Sequence, residues 1–111
     1  MTTTPGSGRP PAADAELQIA HLRAADETQA TAVVRCIRGP VRLGARFHRL
    51  RDAPAPIDLE LTLILFYGRP VDALDPAHTA LVTLRGAGTT LLGPDHSTVG
   101  RHTLQGTNPP P

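Results

Sequence analysis

Six arginines crowd the segment from Arg35 to Arg51 in a chain whose Lys and Arg together number only 11. A guanidinium is always charged and offers a planar fork of donors, so such a run suits phosphate oxygens. Arg35, Arg38, Arg42, Arg46 and Arg49 are the candidate nucleic-acid contacts, with Arg51 beside them. A positive patch of this kind binds a phosphate backbone with an affinity that falls as salt rises. The bland alternative is a solvated face balanced by Asp52, Asp58 and Glu60. With two Phe, one Tyr and no Trp, little is available to stack on bases.

Nucleophilic and metal chemistry finds less support. Cys36 and the five histidines (His21, His48, His78, His96, His102) show no metal-ligand spacing. A Cys36–His48 pair across a turn would be a nucleophile and its base. Cys36 shares a strand face with Val34, however, and reads as a small buried hydrophobe. The chain has no lysine, which excludes a phosphate loop built on Gly-Lys and any Schiff-base mechanism. No catalytic residue, metal or cofactor is expected. Ile64, Phe66 and Tyr67 form the remaining candidate, an apolar surface for a protein partner or for self-association.

The elements that position these residues are strands. Glu16 to Arg23 alternates at first as a strand does, with Leu17 and Ile19 on one face, the alternative being that Asp14-Ala15-Glu16 opens a short helix. Ala24 to Gln29 is a polar loop, and Thr31 to Ile37 is a β-branched strand closed by an Arg38-Gly39-Pro40 turn. Val41 to Leu43 is short and extended, and Gly44 bends the chain into Arg46–Leu50. Phe47 and Leu50 stand three apart, so both point inward only across a β-bulge. Asp52 to Pro56 is a stiff connector.

Ile57 to Tyr67 carries the strongest pattern. Ile57, Leu59, Leu61, Leu63 and Leu65 occupy one face, and Asp58, Glu60 and Thr62 the other. From Ile64 onward both faces are apolar. Gly68-Arg69-Pro70 is a turn, Val71 to Ala77 a loop, and Thr79 to Leu84 a strand ended by Gly86-Ala87-Gly88. Thr89 to Leu92 and Thr98 to Leu104 are weaker strands. Short strands punctuated by Gly and Pro, with no clear helix, predict an all-β fold, a closed antiparallel barrel of six to seven strands.

Several of these residues also form a family pattern. A strand ending Arg35…Arg38-Gly39, then Val41 and Gly44, a long strand, Asp72, and Leu84-Arg85-Gly86 resemble the second, β-barrel domain of translational GTPases of the elongation factor Tu type. Val99-Gly100-Arg101 and Thr103-Leu104 stand where its closing strand would be, so the likeness covers Leu17 to Leu104. Ala45 and His78 replace the aspartates of the family's two Gly-Asp turns, and Ala77 replaces a glycine. Ala24 to Thr28 stands in place of its Gly-Arg-Gly-Thr loop, and no GTP-binding domain precedes the barrel. The resemblance implies a fold that, in the family, contacts ribosomal RNA or the acceptor end of tRNA. RNA or a component of the translation apparatus is thus one expected partner.

The 111 residues make one domain at most. Met1 to Ala13 and Gly106 to Pro111 are too polar and Pro-rich to offset their ordering entropy, which leaves a barrel over 14–105 between two disordered tails. Net charge is +1, yet Thr28 to Arg51 has no acidic residue, while five carboxylates follow by Asp75 against a single Arg69. One cysteine, no secretory pattern at the N-terminus and no spanning apolar stretch predict a cytoplasmic protein with no membrane contact.

Overall fold

The chain, in a computed structural model that describes residues 14–50, 53–92 and 103–110, opens on a long hairpin. β1 (Ala15–Ala25) and β2 (Gln29–Arg38) pair antiparallel. Their turn is set by Asp26, whose Oδ1 accepts hydrogen bonds from the amides of Thr28 and Gln29, each at 2.8 Å. The short polar side chain thus completes the turn's own backbone bonding. Leu17 and Ile19 face the core, so the strand prevails over the short helix. Along β2, Ala30, Ala32, Val34 and Cys36 point inward at period two.

After β2 the Gly39–Pro40 peptide is cis, and β3 (Val41–Arg42) follows at once. β3 pairs not with β2 but with β7 (Ala73–Leu74), a two-stranded flap that seats Val41 and Leu74 on one end of the core. Gly44, at φ 91°, bends the chain into β4 (Arg46–Leu50). Phe47 and Leu50 are both buried there. The expected bulge makes this geometry possible: pairing with β9 steps from Phe47–Gly106 to Arg49–Gln105 and leaves His48 as the extra residue, whereas towards β5 the extra residues lie on β5.

β5 (Ala53–Phe66) is longer than its alternation suggests. The Ala53-Pro54-Ala55-Pro56 stretch is part of the strand instead of a connector, pairing Ala53 with Leu50 and Pro56 with Arg49. Over that stretch β5 has β4 on one side only, since its pairing with β8 (Thr79–Ala87) starts at Asp58. A strand with one free side tolerates prolines that lack an N–H.

The inward set of β5 also departs from expectation. Ile57, Leu59 and Leu61 are buried, but the next buried residue is Ile64. Leu61 and Leu63 pair with Leu84 and Thr83, so Thr62 is an extra residue in the ladder. A slip of one residue sends the whole following segment to the other face. Leu63 and Leu65 therefore turn outward, and Ile64 enters the core. Beyond Phe66, Tyr67 and Gly68 (φ 54° and 78°) form a tight turn into β6 (Arg69–Pro70).

β8 runs past Leu84 to Ala87. Gly86 lies opposite Leu59 at φ 144°, and a Cβ there would strike the carbonyl oxygen of Asp58. Thr89–Leu92 is a 3-10 turn, not a strand. Its buried Thr89 donates through Oγ1 to the carbonyl of Asp26 and pins the first hairpin. Of the weak strand expected over 98–104, only Thr103 and Leu104 fall within the described residues.

Those two begin β9 (Thr103–Thr107), which inserts between β1 and β4. Gly106 and Thr107 thus belong to the barrel, not to a tail. Asn108 extends the boundary beyond 105 as well. Its Oδ1 accepts from Arg42 N, its Nδ2 donates to Pro40 O, and its amide donates to Asp14 Oδ1. The expected tail over 1–13 lies outside the described residues, as do Arg51 and Asp52.

The strands close in the order β4-β9-β1-β2-β8-β5 and back to β4, all antiparallel, with β6 appended. The protein is an all-β, closed six-stranded barrel. Its core is aliphatic, with Phe47 the largest fully buried side chain. No helix among the described residues is long and apolar enough to cross a membrane.

Candidate interaction surfaces

The strand order decides what becomes of the arginine run. β2 and β4 stand three strands apart in either direction around the ring, on opposite walls. Arg35 and Arg38 leave from β2, and Arg46 and Arg49 from β4. The two strands do not form the hairpin that their closeness in sequence suggests, because β9 and β1 intervene on one side and β5 and β8 on the other. A single face holding all five candidates does not exist.

Their charges are also engaged locally. Arg46 meets Asp58 at 3.1 Å and Glu60 at 3.4 Å. Arg38 Nε lies 3.4 Å from the carboxylate of Glu16, itself nearly buried at the start of β1. Arg49 donates to Gln105 Oε1 across the β4–β9 pair at 2.9 Å. The exposed pairs of Arg46 add about 0–1 kcal/mol each, and the carboxylates on Arg46 and Arg38 lower the local positive field, whereas neutral Gln105 leaves the charge of Arg49 in place. Arg35 and Arg42 are exposed, and neither makes an ion pair with a described residue.

Arg46 belongs to a charge ladder. It opposes Glu60, which opposes Arg85 on β8, and an open groove of about 450 Å³ runs along the ladder beside Thr28, Asp58 and Gly86. Asp26 is close by. Hydrogen bonds from the amides of Thr28 and Gln29 hold its carboxyl below the usual value, and Arg85 adds to the effect. Acids and bases alternate here, so the groove offers no net field to a phosphate.

The apolar candidates divide differently. Ile64 is fully buried and contributes nothing to a surface, for the bulge at Thr62 turns it inward. Phe66 is half-buried, packs on the core and stacks on His78 with ring centres 5.2 Å apart. Tyr67 projects from the turn and is 89% exposed.

Four residues not expected at a surface, two of them assigned from the sequence to the inward face, take the place of Ile64. On the outer wall, Leu65 pairs with Leu81, and Leu81 with Val33, forming one continuous row across β5, β8 and β2. Leu63 stands in the next row beside Thr83 and Thr31, and is 36% exposed. The half-buried Leu22, Leu43, Phe66 and Val71 pack against the core, whereas Val33, Leu65 and Leu81 are not among the residues that do. The signal was present in the unbroken apolar runs Val33-Val34, Ala80-Leu81-Val82 and Leu63 to Phe66. A strand wet on one face does not need both parities apolar.

Cys36 is buried, and desolvation pushes its thiol above the usual value. His48 lies exposed on the opposite wall, so the two do not form a nucleophile–base pair. Comparison of the chain with protein-family models, with curated proteins and with solved structures returns no match.

Proposed function

We propose that this chain is a non-catalytic binding module that recognises protein through the outer wall of β5, β8 and β2. The carrying observation is the apolar row Leu65–Leu81–Val33, with Leu63 exposed next to it, on a side of the barrel where alternation demands polar residues. Apolar surface gathered in one patch and rimmed by charge marks an interaction site. The rim is supplied by Arg35 at one end and by Glu60 and Arg85 at the other.

Selection from a random peptide display library tests the reading. Peptides enriched on the intact protein should lose binding when Leu81→Asp is introduced with the fold retained by circular dichroism. If no peptide is enriched, or if the selected peptides bind the variant equally well, the wall is not a recognition surface.

A second reading keeps RNA or a translation component as the partner, in line with the resemblance to the second domain of translational GTPases. Exposure of Arg35 and Arg42 without a carboxylate partner among the described residues favours it. Retention on an RNA column that drops steeply with salt and vanishes in Arg35→Glu with Arg42→Glu would support it. Retention that is indifferent to both would end it.

A further inference from the structure

We propose that the outer wall of β5, β8 and β2 binds an amphipathic helix of a protein partner, apolar along one face and acidic where it passes over β1 and β2. The inference rests on reading that wall as a protein surface, and it names the kind of segment that fits. Backbone pairing excludes an added strand. In the row Leu65–Leu81–Val33, β5 is paired with β6 and β8, β8 with β5 and β2, and β2 with β8 and β1. No edge is free in this row, so side chains alone make the contact.

Spacing suits a helix laid across the strands. Neighbouring strands are about 4.8 Å apart, and a helix advances about 5.4 Å per turn. Side chains at i, i+3 or i+4, and i+7 therefore meet Leu65, Leu81 and Val33 in succession, with Leu63 exposed beside the row. The next turn falls on β1, where the exposed His21 pairs with Val33.

Charge sets the chemistry of that turn. Among the described residues, β1, β2 and β8 carry Arg23, Arg35, Arg38 and Arg85 against one carboxylate, Glu16. Glu16 is nearly buried and lies 3.4 Å from Arg38. Arg85 stands opposite Glu60. Arg35, paired with Gln18, flanks the His21–Val33 row on one side. Towards the hairpin turn follows Arg23, the exposed extra residue of the bulge between Leu22 and Ala24. Neither Arg23 nor Arg35 makes an ion pair with a described residue. The other carboxylates around the wall are engaged or lie beyond it. Asp58 and Glu60 both meet Arg46, Asp26 accepts from the amides of its own turn, and Glu27 stands in that turn. The unanswered charge is thus positive and borders the apolar row over β1 and β2, which carboxylates of a partner complement.

Two synthetic helical peptides test this by fluorescence anisotropy with the full chain. One carries Leu at i, i+4 and i+7 followed by a turn of Glu, and the other has Lys in place of each Glu. The Glu peptide should bind at least about tenfold more tightly than the Lys peptide. Arg23→Glu with Arg35→Glu should remove or invert that preference. Leu81→Asp should abolish binding, and Leu63→Asp, at a side chain already 36% exposed, gives the same reading should the first variant unfold. Arg49→Glu, on the opposite wall, should leave binding unchanged. Circular dichroism confirms the fold of each variant; Arg23, Arg35 and Arg49 are exposed.

Equal binding of the two peptides, or a preference that survives Arg23→Glu with Arg35→Glu, overturns the proposal. So does an oligoribonucleotide that displaces the Glu peptide and binds Leu81→Asp as tightly as the unaltered chain, since that assigns the surface to nucleic acid. If neither synthetic peptide binds but display-selected peptides do so through Leu81, the acidic helix alone is removed. If no peptide of either kind binds, the recognition surface is removed with it.

Discussion

Gly86 shows how one residue type admits a whole architecture. It sits inside β8 at a φ of 144°, where β8 passes so close to β5 that an added methyl would meet the Asp58 carbonyl. Gly106 plays the same part on β9, where a Cβ would strike the carbonyl of Arg46. These two glycines let backbones approach at the points where the sheet curls shut. Gly86→Ala should therefore cost about 2 kcal/mol or more, combining backbone strain with the clash, read as a lowered midpoint in urea unfolding. An unchanged midpoint would mean that β5 and β8 are not so closely apposed. In the sequence, the Leu84-Arg85-Gly86 ending looked like the end of a strand, whereas the glycine lies within one.

At the scale of the element, the decisive object is the bulge at Thr62. Ile57 to Leu61 alternates strictly, and their faces were legible from that alone. From Leu63 to Phe66 every residue is apolar, so the pattern accepts either register. The choice is made by neighbours. Leu61 exchanges backbone hydrogen bonds with Gly44 and Ala45 at the end of the β4 side, and the Thr62 hydroxyl donates to Thr83 O at 3.3 Å. Past that point β5 has β6 in place of β4 beside it.

The consequence is measurable. Ile64→Ser should destabilise by about 2–5 kcal/mol, as removal of a buried aliphatic does, while Leu63→Ser should cost well under about 1 kcal/mol. Equal losses in thermal or denaturant unfolding would show that the register is not the one described. The bulge in β4 was readable because Phe47 and Leu50 are both unmistakably apolar amid polar residues. The bulge in β5 was not, since nothing polar marks its outer face.

For the whole molecule, closure depends on the last strand. β9 joins β1 to β4 and continues through Gly106 and Thr107, and Asn108 ties the start of β1 to the β3 region. A chain ending at Gln105 would lose part of that strand together with the Asn108 bonds and expose two strand edges. It should lose cooperative unfolding or be markedly less stable, visible in circular dichroism during heating. A truncated chain as stable as the intact one would show that residues 106–110 are dispensable.

Composition and local pattern settled that this is an aliphatic, all-β chain with strands near Thr31, Phe47, Ile57 and Thr79, and left the segment around Leu17 between strand and short helix. Turn chemistry and period-two burial are properties of neighbouring residues, so they can be read without a fold. Which walls the strands build could not be read that way. The arginines of β2 and β4 are close in sequence and sit on opposite sides of the barrel, and the row Leu65–Leu81–Val33 joins residues from three separate strands. Both outcomes follow from long-range pairing, which brings the distant β9 between β1 and β4 and is invisible to any local periodicity.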